Sequence, residues 1–411
     1  MPRHILPHLH FPHFNFKFDN SHNLRMLYGI RVLRELTNNL VFFFLPLFLF
    51  QTGPKLAFFS QFDLSDFQKG MILVGMHYVL YRLAMGLSVL PVGKLIVRVI
   101  GFKNAFIISR LLAVLVFLLL KESTLVYPLV FLAALVDGIE GSFFWPNFYS
   151  IFGSNAKEKR VGEDLGLLQF LLQFVAMAAP AVGGLITLVL GFEMLFLFGV
   201  VLSMLGVTFA VAMHPEKMRV EPKFWEFWSW LKESRFRRLA LSYVGNYTQQ
   251  SVLALWPLYV FLIVEGVEKV GYLYSFSLFI SMILSFFIGF YIDHNKSKKP
   301  FMVSGGLLSL LWFVRMQVID IWGIAFVDIT NRLIGSFHWL FYDSILIKRG
   351  SGKSVFPFFV YREIIISAGG ILSWLTFIVI FIVSGDWKIL FLIAAVGTMS
   401  SLVISDKIKQ K

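Results

Sequence analysis

From Tyr28 almost to its C-terminus the chain repeats apolar windows of about 20 residues, each long enough to cross a hydrocarbon core of about 30 Å as a helix. No other feature restricts the fold as much. Lipid offers no partner to an unpaired backbone N–H or C=O, so such windows fold as helices whose hydrogen bonds close within the segment. They begin near Tyr28, Phe67, Phe102, Leu125, Gly162, Phe192, Leu239, Glu268, Pro300, Ile321, Ser354 and Trp387, which predicts an all-α polytopic membrane protein of twelve spans. The low charge content agrees: 15% of the 411 residues are charged, against about 25% in soluble domains.

A formal net charge of +13 invites nucleic acid as a partner, but the basic residues lie in loops between spans. Lys94, Arg98, Lys103, Lys157, Lys159, Arg160, the 217–238 segment, Lys296, Lys298, Lys299, Lys348, Arg349 and Lys353 fall on one set of alternate loops. The other set holds Lys55, Lys69, Lys121, Lys269 and Lys388. This bias places both termini in the cytoplasm, with the chain in the cytoplasmic (inner) membrane and the lipid bilayer as its principal partner. No nucleic acid and no oligomer are expected. The absence of Cys excludes disulfides, thiolate metal sites and thiol nucleophiles.

The domain reading has four parts. Residues 1–24, with Pro2, Pro7, Pro12 and five histidines, form a cytoplasmic tail; 25–213 and 239–411 are two six-helix bundles. Between them, 214–238 is a polar linker in which Phe224, Trp225, Trp228 and Leu231 recur at helical spacing, as in a helix lying at the membrane surface.

The two bundles are related. Residues 141–151 read GSFFWPNFYSI and 335–345 read GSFHWLFYDSI, six of eleven positions being identical. Asn38 and Asn39 precede Pro46 at the offset by which Gln249 and Gln250 precede Pro257. Gly183 and Gly184 answer to Gly369 and Gly370. Parallel repeats of this kind build many transporter folds.

On these residues the chain resembles the major facilitator superfamily, two parallel six-helix halves joined by a cytoplasmic loop. The family's gating-latch signature is similar to GKLIVRVIGFK from Gly93 through Arg98, where Val97 stands in place of the aspartate, and to GFYIDHNKSKK, with Gly289, Asp293 and Lys296. The resemblance implies a secondary transporter of a small solute working by alternating access, driven by a proton or sodium gradient and needing no other cofactor. It also implies that the first, fourth, seventh and tenth spans line one central pocket.

Ionisable groups are costly in lipid and mark functional sites. The candidates for substrate binding or coupling are Arg34, Glu35, Asn38 and Asn39 in the first span, Asp137 and Glu140 in the fourth, Gln249 and Gln250 in the seventh, and Asp328 and Arg332 in the tenth. Asp137, Glu140 or Glu35 would carry the proton. The competing role for Arg34 or Arg31 is an internal ion pair with Asp137 or Glu140. Trp145, Trp256 and Trp339 are aromatic lining candidates, with core packing as the alternative. No catalytic or metal-ligating cluster emerges: His77 and His338 are isolated, and GSGKS at 350–354 lacks the rest of a phosphate-binding loop. A non-transporting sensor of the same fold, or a membrane-embedded enzyme, is the alternative to a transporter.

Overall fold

The computed structural model describes residues 22–155, 161–216, 220–294, 299–350 and 355–405; among these every regular element is helical. The first helix, α1 (His22–Leu40), begins ahead of Tyr28 because polar His22 and Asn23 are tied to the other end of the chain's first half. Asn23 donates to the carbonyl of His214, and the His22 ring stacks on that of His214 at 4.4 Å. Pro46 accounts for the next break. Having no N–H it cannot extend the ladder, so the chain turns through Phe42–Phe44 and restarts as α2 (Leu45–Thr52) with Pro46 in its first turn. The third helix, α3 (Asp66–Leu95), opens on a capping box between Ser65 and Gln68.

There follow α4 (Gly101–Glu122), α5 (Leu129–Asn155), α6 (Val161–Ala176) and α7 (Ala179–Ala212). Within α7 the chain reverses at Gly191, whose φ of 79° only glycine adopts without strain, just before the Phe192 expected to open a span. A short α8 (Phe224–Lys232) falls on the amphipathic linker segment. The remainder is α9 (Ser234–Val264), α10 (Val267–His294), α11 (Lys299–Arg315), α12 (Ile321–Arg349), α13 (Val355–Val383) and α14 (Trp387–Ser401). Seven stretches of described chain are long and apolar enough to cross a membrane. Leu87, Leu188, Val189, Leu372 and Val396 point outward, where lipid would meet them.

The buried apolar side chains form two layers. One holds the start of α1 (Leu24, Leu27), the ends of α3 and α5 (Val89, Phe152), the start of α4 (Phe102), the α8 residue Phe227 and the start of α13 (Phe356, Phe359). The other holds α2, the start of α3 (Leu73), the end of α4 (Phe117), the end of α9 (Trp256) and the later turns of α13 (Trp374, Phe377). Successive long helices therefore run between the layers in opposite directions, and the first layer is the linker end of the molecule. The packing repeats along the chain: α3 on α5, α4 on α5 and α4 on α7 are answered by α10 on α12, α11 on α12 and α11 on α14. The earlier and later helices meet chiefly where α3 packs on α13 and α7 on α10.

The glycine doublets lie at close helix approaches. A Cβ on Gly183 would meet the Leu40 carbonyl at 2.4 Å, and one on Gly184 the Glu268 Cα at 3.1 Å. Correspondingly, a Cβ on Gly369 would meet the Val244 side chain at 2.5 Å and one on Gly370 the Tyr247 ring at 2.6 Å. Small residues here let backbones come together, the usual way of packing helices where solvent gives no drive.

Candidate functional site

Between the two apolar layers lies a cavity of about 340 Å³ lined from α1, α6, α9, α10 and α12. Three turns of α1 present Arg31, Glu35 and Asn39 to it, spaced four apart and so on one helical face. Gln169 and Gln173 face it from α6, Gln250 from α9, and Asn331, Arg332, Ser336 and Trp339 from α12. Leu172, Leu253 and Leu278 complete the wall. Arg31 and Glu35 are paired at 2.7 Å, and the Asn39 amide donates to the other oxygen of Glu35 at 2.9 Å. Gln173 donates to Ser336 at 2.9 Å, joining α6 to α12 across the cavity's edge.

The other face of α1 belongs to a different place. Arg34 donates to Glu140 at 2.5 Å, Arg110 of α4 reaches the same carboxylate oxygen, and Ser109 donates to it at 2.6 Å. The guanidinium of Arg34 lies over the Phe144 ring at 4.1 Å. Asp137, one turn before Glu140, makes no hydrogen bond or ion pair among the described residues. It borders a void of about 10 Å³, room for one water, together with Arg34, Asn38 and Arg110. The pocket expected to gather all these groups is thus two places, because side chains one position apart on a helix point about 100° apart.

On the other side, Asp328 of α12 turns away from the cavity and accepts from the Trp256 indole at 2.8 Å. Fully buried Arg315, within electrostatic reach of Asp328, lies between the rings of Trp312 at 4.1 Å and Trp256 at 4.9 Å, its three guanidinium nitrogens without hydrogen bonds. Gln249 is buried, and its backbone lies beside Gly397 of α14.

Aromatic contacts join the earlier and later helices at both ends of the molecule. At the linker end Tyr149 stacks on Phe359 at 5.1 Å and Phe102 meets Phe356 edge-on at 5.1 Å. Opposite, Tyr78 stacks on Trp374 at 4.3 Å and Phe43 meets Tyr274 at 4.4 Å. Along the α3–α13 seam between these ends, Arg82 lies 3.9 Å from Glu363, which also takes a bond from Arg362 at 2.5 Å. His77 bonds the Val130 carbonyl and His338 bonds Ser304, each as a core residue.

The structure sorts the candidate residues as follows. Glu35, Asn39, Gln250, Arg332 and Trp339 line the cavity; Arg34, Asn38, Asp137 and Glu140 form the buried cluster behind α1; Asp328 and Trp256 form the cluster with Arg315; Gln249 is core. Trp145 covers the guanidinium groups of Arg31 and Arg34 at 5.7 and 5.0 Å. The amide doublets behave alike, the second member of each (Asn39, Gln250) facing the cavity and the first facing its own helices. Of the latch residues, Gly93 meets Pro222 of the linker and Val360 of α13, and Arg98 pairs with Glu221. The surroundings of Gly289 and Asp293, on α10, and the whole of Lys296 lie outside the described residues, as do residues 351–354 and His4, His8, His10 and His13. Sequence reading passed over Gln169, Gln173, Asn331 and Glu221. An amide pair four apart in the apolar run around Gln169 was the available signal for the first two.

Long apolar helices around a polar cavity, with charged clusters on both sides, define an integral membrane protein of the transporter class. The chain belongs to the major facilitator superfamily, whose sequence model matches residues 27–346. Its fold is similar to that of the human organic anion transporter TETRAN, with 10% identity, 93% of this chain and 99% of the other covered, and a TM-score of 0.70. It is also similar to the E. coli fucose:proton symporter FucP, with 15% identity, 93% and 97% covered, and a TM-score of 0.64. A third likeness is to a bacterial homologue of the iron transporter ferroportin, with 10% identity, 93% and 98% covered, and a TM-score of 0.65. No curated protein sequence matches the chain.

Proposed function

We propose that this protein moves a small polar solute across the cytoplasmic membrane as a monomeric secondary transporter, by alternating access and coupled to protons. In this reading the two 57- and 46-residue apolar stretches each cross twice, since a helix needs about 20 residues per crossing. With α10, α11 and α12 added to the other five stretches, the crossings number twelve, in two bundles of six joined by the 214–238 linker at the cytoplasmic face.

The observation that carries the reading is the polar cavity between the earlier and later helices. A polar chamber contributed by helices before and after the linker is what a carrier needs to hold its cargo between two bundles. Rocking of one bundle on the other would break the aromatic contacts at one end while keeping those at the other. The α3–α13 and α7–α10 contacts, close because of Gly184 and Gly370, are the hinge surfaces.

Coupling is assigned to Asp137. Glu140 is held through one oxygen by two guanidinium groups and a hydroxyl, and the two oxygens of Glu35 are bonded by Arg31 and Asn39. Asp137 has no such bond; it faces a water-sized void with Arg34, Arg110 and Glu140, and Arg82, Tyr78 and Tyr81 are within electrostatic reach of it. A carboxyl group placed this way is free to gain and lose a proton as its surroundings change. Reconstitution into liposomes with an imposed proton gradient tests the whole reading: gradient-driven solute flux supports it, and substrate turnover without flux would replace it with an enzyme.

A further inference from the structure

We infer that the cargo is a small organic monoanion, its carboxylate taken by Arg332; the inference rests on the reading of the central cavity as the transport site. Three charged side chains line that cavity, and two of them cancel. Glu35 has one oxygen occupied by Arg31 at 2.7 Å and the other by Asn39 at 2.9 Å, all three on α1. It has no oxygen left unbonded to draw in a cation. Arg332 stands on the facing wall with no hydrogen bond or ion pair among the described residues, its guanidinium resting only against the Tyr274 ring at 4.9 Å.

The acid nearest Arg332 along α12 is Asp328, one turn away. It is turned to Trp256 and has buried Arg315 in electrostatic reach besides Arg332. One carboxylate thus stands near two guanidinium groups, and the surplus positive charge is the one facing the cavity. An unpaired guanidinium in a low-dielectric chamber gains strongly from a bidentate carboxylate and nothing comparable from a neutral solute, while a cation would meet repulsion. One surplus charge favours a monoanion over a phosphate dianion.

The rest of the wall indicates what accompanies the carboxylate. Gln169, Gln250, Asn331 and Ser336 supply donors and acceptors for hydroxyl or amide groups, and Trp339 a ring face. The volume of 340 Å³ lies at the low end of small-molecule sites, which suits a compact metabolite rather than a peptide or lipid.

The test uses purified full-length protein and two matched trios: glucuronate, glucose and glucosamine; benzoate, benzyl alcohol and benzylamine. The inference expects the anion of at least one trio to raise the thermal midpoint at concentrations at least about tenfold below its neutral partner, the worth of one charge-assisted hydrogen bond. Arg332→Gln should erase that preference and Arg332→Lys retain part of it, with unliganded midpoints showing that both variants fold. Glucose 6-phosphate separates a carboxylate site from a general oxyanion site, and equal or tighter binding of it overturns the monoanion assignment. Preference for a neutral or cationic member, no response to any of the six, or an anion preference surviving in Arg332→Gln overturns the inference. Anion binding without flux in liposomes would instead remove the transport reading and leave the anion site standing.

Discussion

Arg98 and Glu221 form a two-point ion pair: Nε and the terminal nitrogen of the arginine each donate to a separate carboxylate oxygen at 2.9 Å. Arg98 belongs to the turn between α3 and α4, and Glu221 to the linker. A few residues on, the Tyr361 hydroxyl of α13 donates to the Lys223 carbonyl and accepts its N–H, each at 2.8 Å, so the linker bridges the latch turn to the later helices. Val97 stands where the family pattern has an aspartate, and Glu221 furnishes a carboxylate to the basic residue beside it.

Glu221→Gln should therefore loosen the linker end. Hydrogen exchange of α8 and the α3–α4 turn should rise, and the double charge reversal Arg98→Glu with Glu221→Arg should restore protection. Unchanged exchange in Glu221→Gln would show that the pair holds nothing. The hydrogen bond from Arg98 keeps the Glu221 carboxyl below the usual carboxylate range. The clamp is then fully present above the pKa of a free glutamate and is lost as pH falls through the lowered value of the paired state.

The two acids of α5 should part company on mutation. Glu140→Gln leaves buried Arg34 and Arg110 without their counter-ion and should destabilise the protein by about 3–5 kcal/mol, read as a large drop in the denaturation midpoint. Asp137→Asn breaks no bond and should leave that midpoint nearly unchanged while flattening the pH dependence of uptake. Equal destabilisation by both would remove Asp137 from the coupling role.

The cluster around Arg315 predicts non-additivity. Asp328→Asn removes the anion in electrostatic reach of a guanidinium that has no hydrogen bond and should lower thermal stability markedly. Adding Arg315→Met should recover most of the loss, because a dry apolar pair replaces a lone buried charge. Additive losses in the double variant would show the two residues to be independent.

The aromatic contacts opposite the linker can be trapped chemically. The chain has no Cys, so Phe67→Cys with Phe381→Cys introduces the two thiols of interest against an empty background. Their rings lie 5.9 Å apart across α3 and α13. A short thiol cross-linker should arrest solute flux, and a reducible version should release it on reduction. Full flux after complete cross-linking would mean that this seam does not move.

What the sequence alone determined is the class of the molecule and the places where its helices begin and end. Hydropathy, prolines and cap residues act over one or two turns, so the breaks near Pro46 and Gly191 and the box at Ser65 are legible one window at a time. The duplicated GSF-W segment and the paired amides are likewise local words; the amides and the second GSF-W copy lie on α1, α9 and α12, which line the cavity, whereas the first copy lies on α5, which does not. Which side of a helix faces which neighbour is a property of packing. Only tertiary structure could divide Arg31, Glu35 and Asn39 from Arg34 and Asn38, bind Glu140 to Arg110 across α4, turn Asp328 toward Trp256 and leave Arg332 unpaired. Those outcomes depend on contacts between residues tens to hundreds of positions apart, and a single change of helix rotation would exchange cavity wall for core.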